Sequence, residues 1–322
     1  MKTKISDLLA ASLLFFACLF PKCATAANPL AKNAPRIVFD STRSGTFGIY
    51  SMNLDGSDVR VIVDSAKDDF NPSVSLTGKV VYLQAEKAGR DVPSDVWMVN
   101  VDGSGAEKIG SGASHVAISP KGDKVYFISK LKKIIEYDVS QKTKSRVFPN
   151  KKIEGSFKPQ RSLAYLNVSP SGEKLAFITY IRGGWYTVSL NLKDPKIEIL
   201  MRGCQPFWTR DEDALIYMTA HKDAPDERRI MKFYVDEKRA EVLQDRQPPW
   251  GYEYFPSLSP DGNTLLFAES RFDQRDFYSS NFQIFSKNLK TQQIVRITDD
   301  TFTNRYPRYL PSEVEAKKAL GK

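Results

Sequence analysis

The sequence predicts an all-β fold, a six-bladed β-propeller in which the C-terminal strand completes the N-terminal blade and closes the ring. Three observations predict this fold. Two kinds of hairpin alternate along the chain, the pair of hairpins repeats about every 47 residues, and the repeats begin and end on half of a hairpin. Two hairpins supply four strands per repeat, which is the composition of a propeller blade.

The first kind of hairpin is built around a Ser-Pro-x-Gly turn between two apolar strands. Proline presets the first position of the turn and glycine takes its left-handed position, so the chain reverses direction there. The copy at 255–267 keeps the full pattern, whereas the copy at 205–217 has an acidic turn. The five copies lie at 72–82, 115–127, 165–177, 205–217 and 255–267.

The second kind of hairpin has a strand that ends in an Asn-Leu-like step, followed by a polar turn and another strand. It is clearest at 53–56, Asn-Leu-Asp-Gly, and at 100–103, Asn-Val-Asp-Gly. Looser copies follow at 138–139, 191–194, 234–236 and 288–291. Because the two kinds of hairpin interleave, each repeat is predicted to fold as one four-stranded sheet.

The two ends of the repeat region predict how the ring closes. The segment 36–39 resembles a second strand with no first strand before it. The segment 306–311 aligns with the first-strand segment 255–260 and has no second strand after it. Pairing the two segments would complete one blade and remove exposed sheet edges.

The first 26 residues are predicted to be a secretory signal peptide. Lys2 and Lys4 form a basic start, the segment 8–20 is apolar, and 24–26 is an Ala-Thr-Ala cleavage site. The apolar segment is shorter than a transmembrane helix needs to be, and no later segment is longer. We therefore expect an exported, periplasmic protein without a transmembrane segment, cleaved after Ala26.

The rest of the chain divides into three parts. A short segment at 27–35 leads into the propeller at 36–311, and a C-terminal tail occupies 312–322. The tail begins with Ser312-x-x-Glu315, the pattern of a helix capping box, so we expect a short helix there. We expect the mature protein to be a monomer.

The cysteine content limits the disulfides that the chain can form, and its charge limits the partners that it can bind. Cleavage after Ala26 would remove Cys18 and Cys23 and leave Cys204, so no intramolecular disulfide is expected. The formal charge of the chain is +9, and much of it is concentrated at 130–161. For an exported chain we exclude nucleic acid, and interpret the basic region as a solvated blade edge or a surface for an anionic partner.

Residues that could carry catalysis are sparse. Of the two histidines, His115 and His221, neither has a third metal-ligating histidine to join it. The chain has no Gly-x-Ser-x-Gly motif, Cys204 has no neighbouring histidine, and the acidic run at 211–213 occupies a turn. We therefore predict no catalytic residue, no metal ligands and no cofactor, and leave open a calcium ion held by carboxylates in the channel.

The repeat x-Pro-x-x-Ser-Pro-Asp-Gly-x-x-aliphatic-x-Phe, followed by Asn-Leu-Asp-Gly, resembles the WD40-like (PD40) repeat of the TolB family. The resemblance covers 36–311 and is best at 115–127 and 255–267. It implies a periplasmic propeller that binds envelope proteins such as a peptidoglycan-associated lipoprotein. It also implies an α/β domain before the propeller. Because only 27–35 precede the first strand, we expect that domain to be lacking.

We therefore predict a non-catalytic periplasmic scaffold that mediates protein–protein interactions in the cell envelope. Two other functions stay open. One is a propeller that binds carbohydrate or peptidoglycan through aromatic side chains, and the other is a propeller hydrolase or lyase with a metal in its channel.

The first candidate binding site lies on the loop face, which is the face opposite the Ser-Pro-x-Gly turns. Loops on this face are long, and long loops on a rigid scaffold often carry binding residues. Near the last blade they are rich in exposed aromatic residues and arginine, which are common interface anchors. The predicted binding residues are Trp250, Tyr252, Tyr254, Arg271, Phe272, Arg275, Phe277 and Tyr278.

The second candidate site is the mouth of the central channel. Residues just before each first strand are predicted to approach the propeller axis, where a mixed polar ring could hold a ligand, an ion or only water. These residues are Asp69, His115, Tyr165, Gln205 and Arg305, with Tyr254 at the corresponding place in the last blade.

Overall fold

The computed structural model describes residues 34–89, 92–149, 162–181, 183–219, 229–245, 250–271 and 280–321, with the backbone alone described at Trp250. The predicted signal peptide at 1–26 and most of the segment 27–35 lie outside the described residues. The described residues form 23 β-strands and one α-helix.

The strands form five antiparallel sheets, four of which have four strands each. The sheet that joins the two ends of the chain contains, in spatial order, β23 (Asn304–Leu310), β1 (Arg36–Ser41), β2 (Gly48–Asn53) and β3 (Arg60–Val63). Another contains β11 (Leu163–Val168), β12 (Lys174–Ile181), β13 (Gly184–Asn191) and β14 (Lys196–Arg202). The next contains β15 (Cys204–Trp208), β16 (Ala214–Met218), β17 (Ile230–Tyr234) and β18 (Arg239–Gln244). The last contains β19 (Trp250–Leu258), β20 (Thr264–Arg271), β21 (Gln283–Asn288) and β22 (Ile294–Arg296).

The fifth sheet has seven strands. They are β4 (Asp68–Val74), β5 (Lys79–Ala85), β6 (Ser94–Asn100), β7 (Glu107–Ile118), β8 (Lys124–Ser129), β9 (Lys133–Asp138) and β10 (Thr143–Phe148). The long strand β7 pairs with β6 from Glu107 to Ala113 and with β8 from Ala113 to Ile118. It is therefore shared between two hairpin pairs, which the sequence pattern did not predict.

The C-terminal strand closes the ring. Strand β1 pairs with β2 on one side and with β23 on the other, with Arg36 opposite Leu310 and Ser41 opposite Asn304. The predicted pairing of the C-terminal strand with the first strand is confirmed. Strand β1 is therefore not left as an open sheet edge, which would invite pairing with another chain.

Burial is lowest in the outer strand of a sheet. All six residues of β1 are buried, whereas only Ile62 is buried in β3 and only Phe148 in β10. The outer strands are short and rich in charged residues, which protects these edges from pairing. The apolar core therefore lies around the inner strands, where neighbouring sheets face one another.

The inner strands contain β-bulges. Pairing is interrupted between Phe70 and Ser73 in β4, and at the corresponding places in β11, β15 and β19. A bulge adds a residue on one strand and redirects its side chain. Residues with φ of +50° to +57° mark the corresponding position in five inner strands: Asn71, Tyr165, Gln205, Phe255 and Tyr306.

The expected short helix is present as α1 (Glu313–Ala319). Ser312 Oγ accepts from Glu315 N, and the Glu315 carboxylate accepts from Ser312 N at 2.8 Å, which forms a capping box. Tyr309 also donates to Glu315 Oε1 at 3.0 Å, so the helix is attached to β23. In the described ranges, no helix is long and apolar enough to cross a membrane.

Candidate functional site

A cavity of about 500 Å³ lies where the inner strands converge. Its lining includes residues of β4, β7, β11, β15, β19 and β23, the first strand of every repeat. It also includes Pro120, Pro170 and Pro260 of the Ser-Pro-x-Gly turns, and Ala319 of α1. The mouth of the cavity therefore lies on the face that carries these turns, which we call the turn face.

One residue of each inner strand contributes to a ring around the cavity. The six ring residues occupy equivalent positions, each directly before Pro72, Val116, Leu166, Pro206, Pro256 or Pro307. They are Asn71, His115, Tyr165, Gln205, Phe255 and Tyr306. The bulges place these side chains at the axis.

The structure brings only part of the predicted channel mouth to the cavity. His115, Tyr165 and Gln205 line it. For Asp69 and Arg305 the prediction is wrong, because both are fully buried and outside the lining. The ring residues of those two strands are Asn71 and Tyr306, one or two positions further along; aligning the repeats on their prolines would have identified them.

Asp69 is a structural residue. It accepts hydrogen bonds from Gln84 Nε2 at 2.8 Å and from Ser65 N at 3.0 Å. Burial is the largest influence on its carboxyl group and raises the pKa of Asp69 above its ordinary value. The side chain thus organises the loop before β4 and does not face a ligand.

Arg305 forms a buried ion pair that holds three strands together. Its guanidinium lies 3.2 Å from Asp40 on β1 and 3.8 Å from the centre of the Phe47 ring. Asp40 Oδ2 also accepts from Asn71 N on β4 at 3.0 Å. We call this arrangement the Asp40–Arg305 clasp.

Two buried donors in the cavity lining lack acceptors. Gln205 Oε1 accepts from Phe255 N at 2.5 Å, which fixes the orientation of the amide. In the part of the chain that the structure describes, neither Gln205 Nε2 nor Trp208 Nε1 has an acceptor. Buried donors normally find a partner, so these two nitrogens could bond to a ligand that enters the cavity.

The histidine of the ring is neutral. Burial lowers the pKa of His115 to about 4, so its imidazole carries no charge at pH 7. The ring lies 5.0 Å from the Tyr165 ring in a tilted arrangement. It supplies an aromatic surface to the cavity, and its Nδ1 lies 3.4 Å from Ser114 Oγ.

Arg308 is the charged residue inside the cavity that the sequence prediction missed. It lies on β23 opposite Val38 and lines the cavity. The repeat alignment offered a signal, because the equivalent positions carry uncharged residues: Ser73, Ala117, Asn167, Phe207 and Ser257. The remaining charged lining residues lie together in the turn before β16: Arg210, Asp211 and Glu212.

Of the binding residues predicted on the loop face, the structure describes three side chains, and two of them are buried. Tyr252 and Tyr254 were expected to be exposed; this is wrong, since they are 1% and 3% exposed. Residues 251–258 of β19 are all buried, and the ring of Tyr254 packs edge-on against that of Phe282, with 5.2 Å between the ring centres. Arg271 is exposed at the end of β20. Phe272, Arg275, Phe277, Tyr278 and the Trp250 side chain lie outside the described residues.

Two glutamates share the interior near the loop face. Glu253 on β19 is opposite Glu269 on β20, and both are buried. Burial, with a smaller contribution from Glu269, raises the pKa of Glu253 to about 9, and burial raises that of Glu269 to about 8. Glu253 Oε2 accepts from Ile230 N at 3.0 Å.

Within the described ranges, no three His, Cys, Asp or Glu side chains form a group that could hold a metal ion. Cys204 is buried in β15. In the acidic turn, Glu212 pairs with Lys174 at 3.1 Å and accepts from Ser171 N at 2.6 Å. These contacts assign Glu212 a structural role between neighbouring sheets.

Comparison with known proteins shows the fold of the chain. No family model matches the chain. The chain is 29% identical over 149 residues to an uncharacterized protein of Agrobacterium fabrum, a match that covers 43% of this chain and 49% of that protein. The match thus spans about half the length of this relative.

Solved structures match the propeller at low sequence identity. TolB from Acinetobacter baumannii has a TM-score of 0.67 at 13% identity, over 86% of this chain and 66% of TolB, just under two thirds of its length. A chain of the nidogen/laminin complex has a TM-score of 0.64 at 11% identity, over 87% of this chain and 100% of that chain. The chain is therefore an all-β propeller that resembles the propeller of TolB, and fold alone does not determine function.

Proposed function

We propose that the chain is a non-catalytic periplasmic scaffold of the TolB-like kind, which binds a cell-envelope protein at the mouth of its central cavity. The cavity carries this proposal. It combines a volume of about 500 Å³ with a mixed lining of apolar and polar side chains, and concave sites of this size are where ligands usually bind. The resemblance of the repeats to those of TolB favours a peptidoglycan-associated lipoprotein-like partner.

Among the described residues, those of the turn face are better suited to bind a partner than those of the loop face. Its cavity is lined by side chains on inner strands, and hydrogen bonds and the Asp40–Arg305 clasp hold these strands together. A rigid lining binds without paying a large ordering entropy. On the loop face, the described aromatic residues Tyr252 and Tyr254 are buried and offer no surface.

We further propose that the ring has six blades. Dividing β7 at Ala113 turns the seven-stranded sheet into two units, β4 to β7 and β7 to β10, each with four strands. The four remaining sheets then complete six units. The six ring residues of the cavity, one from each inner strand, support this division.

Export to the periplasm is proposed from the order of the basic, apolar and cleavage segments in 1–26. We expect intact-mass measurement of periplasmic protein to give a chain that begins at Ala27. Full-length protein recovered from the cytoplasm would contradict the proposal.

Site-specific photo-crosslinking tests the binding face. A photoreactive phenylalanine analogue replaces Leu76, which lines the cavity near its mouth, and in a second variant it replaces Val242, which is 48% exposed on the outer strand β18. The partner is expected to cross-link in periplasmic extract through position 76 and not through position 242. The cross-link should disappear when unlabelled mature protein is added in excess.

Two results would overturn the proposed function. One is a partner that co-purifies with the chain and cross-links through position 242 as strongly as through position 76. The other is turnover of an envelope substrate by the purified chain, which would assign it to the hydrolases or lyases.

A further inference from the structure

We propose that Arg308 is the anchor of the central cavity, and that it binds a carboxylate carried by a peptide segment of the partner. The inference rests on the proposed function, because it names the chemistry that the same cavity recognises.

Arg308 is charged and forms no ion pair with the described residues, although Asp40 acts on it electrostatically. Its described contacts are a hydrogen bond from Nη1 to Pro307 O at 3.2 Å and ring contacts at 5.7 Å to Tyr306 and 5.9 Å to Phe207. No described carboxylate lies within ion-pair distance of its guanidinium. Asp40, a buried carboxylate on the adjoining strand, is already bound to Arg305.

Three of the five equivalent residues on the other inner strands join neighbouring strands, whereas Ala117 and Phe207 carry no side-chain group that could do so. Ser73 Oγ accepts from Ile118 N at 3.2 Å. Asn167 Oδ1 accepts from Trp208 N at 3.0 Å, and Ser257 Oγ donates to Pro307 O at 2.7 Å. Arg308 makes no such bond to the next inner strand, β4, so its remaining donors are available to a ligand.

The charge of Arg308 persists at neutral pH. Burial lowers the pKa of Arg308 to about 10, well above 7, so the guanidinium stays protonated. His115 is neutral, and Glu212 at the mouth is bound to Lys174 and Ser171 N. Among the described lining residues, the charged group on an inner strand is therefore the Arg308 guanidinium, which is accompanied by the buried donors Gln205 Nε2 and Trp208 Nε1, whereas Arg210, Asp211 and Glu212 lie in the turn before β16.

A guanidinium in a cavity lined with further donors suits a carboxylate, which accepts several hydrogen bonds and binds arginine in a bidentate manner. A peptide carries such a group more suitably here than a sugar acid does. Sugars need exposed aromatic faces to stack on, and the ring residues Phe255 and Tyr306 offer none, because they are buried and their ring centres lie 3.9 Å apart. The mouth is lined instead by apolar residues such as Leu76, Pro120 and Leu258, which accept aliphatic side chains.

The test is an array of short random peptides, each printed in an acidic form with Asp or Glu and in a matched form with Asn or Gln. The mature protein, Arg308→Gln, Arg308→Met and the control Arg146→Gln are applied to it. Arg146 is exposed on the outer strand β10. Each variant is first checked for a cooperative melting transition, and two substitutions at Arg308 guard against one that fails to fold.

We expect the parent protein to retain the acidic peptides over their amide forms, and Arg308→Gln and Arg308→Met to bind them about tenfold or more weakly, the factor of a charge-assisted hydrogen bond. Arg146→Gln should bind like the parent. Binding that shows no preference for acidic peptides, or that survives both Arg308 substitutions, overturns the inference and leaves the proposed function standing.

Two further outcomes also overturn the inference. Retention of polygalacturonate, through Arg308, in place of any peptide would assign the cavity to a sugar acid. Absence of all peptide binding, together with absence of the cross-link through position 76, would overturn the proposed function as well.

Discussion

Buried ionisable residues in this propeller fall into two groups. Asp40 and Arg305 neutralise each other at 3.2 Å. Arg308 has no acidic partner among the described residues, and Glu253 and Glu269 are two acids that face each other across a strand pair. A buried charge without compensation costs free energy. The free energy of unfolding should therefore change when residues of the second group are titrated or substituted.

The Glu253–Glu269 pair should make stability depend on pH. The ordinary glutamate pKa is 4.5, and the folded values are about 9 and about 8, so the folded state retains protons that the unfolded state loses. Their contribution to stability is fully present below about pH 4.5 and is lost as the pH rises toward 8 or 9. We therefore expect the free energy of unfolding to fall between pH 5 and pH 8.

Glu253→Gln should reduce that fall, because an amide needs no proton to stay neutral. We expect the variant to be about 1–3 kcal/mol more stable than the parent at pH 8, with a smaller difference at pH 5. Urea unfolding at the two pH values measures this. Glu86→Gln, at an exposed position, is the matched control and should keep the pH dependence of the parent. An equal fall in Glu253→Gln would contradict the raised pKa.

Arg308→Met should be neutral or stabilising. The substitution removes a partly buried guanidinium that no described carboxylate balances and keeps most of the aliphatic length of the side chain. Because the side chain is partly exposed and solvent therefore screens its charge, we expect a gain of no more than about 2 kcal/mol in the free energy of unfolding. Chemical denaturation of both proteins at pH 7 measures it, and a loss of more than about 1 kcal/mol would show that Arg308 is needed for folding.

At the scale of single elements, the inner strand is the unit that organises the site. Its bulge turns one residue toward the axis, and the residue two positions further on bonds to the next inner strand in β4, β11 and β19, whereas in β23 it is Arg308, which lines the cavity without such a bond. The Asp40–Arg305 clasp adds a contact that spans β1, β4 and β23. The stability of the ring closure should therefore depend strongly on this pair.

A double-mutant cycle on the clasp tests this dependence. Asp40→Asn or Arg305→Met alone leaves a buried charge unpaired, and we expect each to cost about 3–5 kcal/mol. The double variant should cost clearly less than the two single costs added together. The exposed pair Lys142–Glu107 is the control, for which the same cycle should give at most about 1 kcal/mol. Additive effects at Asp40 and Arg305 would mean that the two residues act independently.

Much of the element pattern could be predicted because turn chemistry is local. The Ser-Pro-x-Gly turn at 119–122 connects β7 and β8 as expected, and its glycine has φ of +72°. The cavity ring could be predicted only in part, because each bulge adds a residue that strand alternation does not reveal. That is why Asp69 and Arg305 were placed at the axis in error. Tyr252 was misjudged for another reason, since its burial depends on sheets far away in sequence.

At the scale of the whole molecule, the first and the last described strands pair beside the cavity. Strand β23 supplies Tyr306 and Arg308 to the lining, and α1, which follows it directly, supplies Ala319. The closing strand and the binding site are thus the same part of the chain. A partner bound at the cavity should also stabilise the closed ring, because a ligand that binds the folded state shifts the folding equilibrium toward it.

The closing strand can be separated from the helix by two truncations. Deleting 304–322 removes β23, leaves the edge of β1 unpaired and leaves Asp40 buried without Arg305. We expect this variant to lose its cooperative unfolding transition, since the exposed edge and the unpaired charge are added to the loss of a whole inner strand.

Deleting only 312–322 is the matched control, because it removes α1 and keeps every residue of β23. The control should melt cooperatively, with a modest decrease in melting temperature, because a seven-residue helix contributes few buried groups beyond Ala316. Calorimetry and near-UV circular dichroism distinguish the two truncations. If the 304–322 deletion melts like the full chain, ring closure by β23 contributes little to folding, and the cavity would have to be stabilised by the remaining sheets alone.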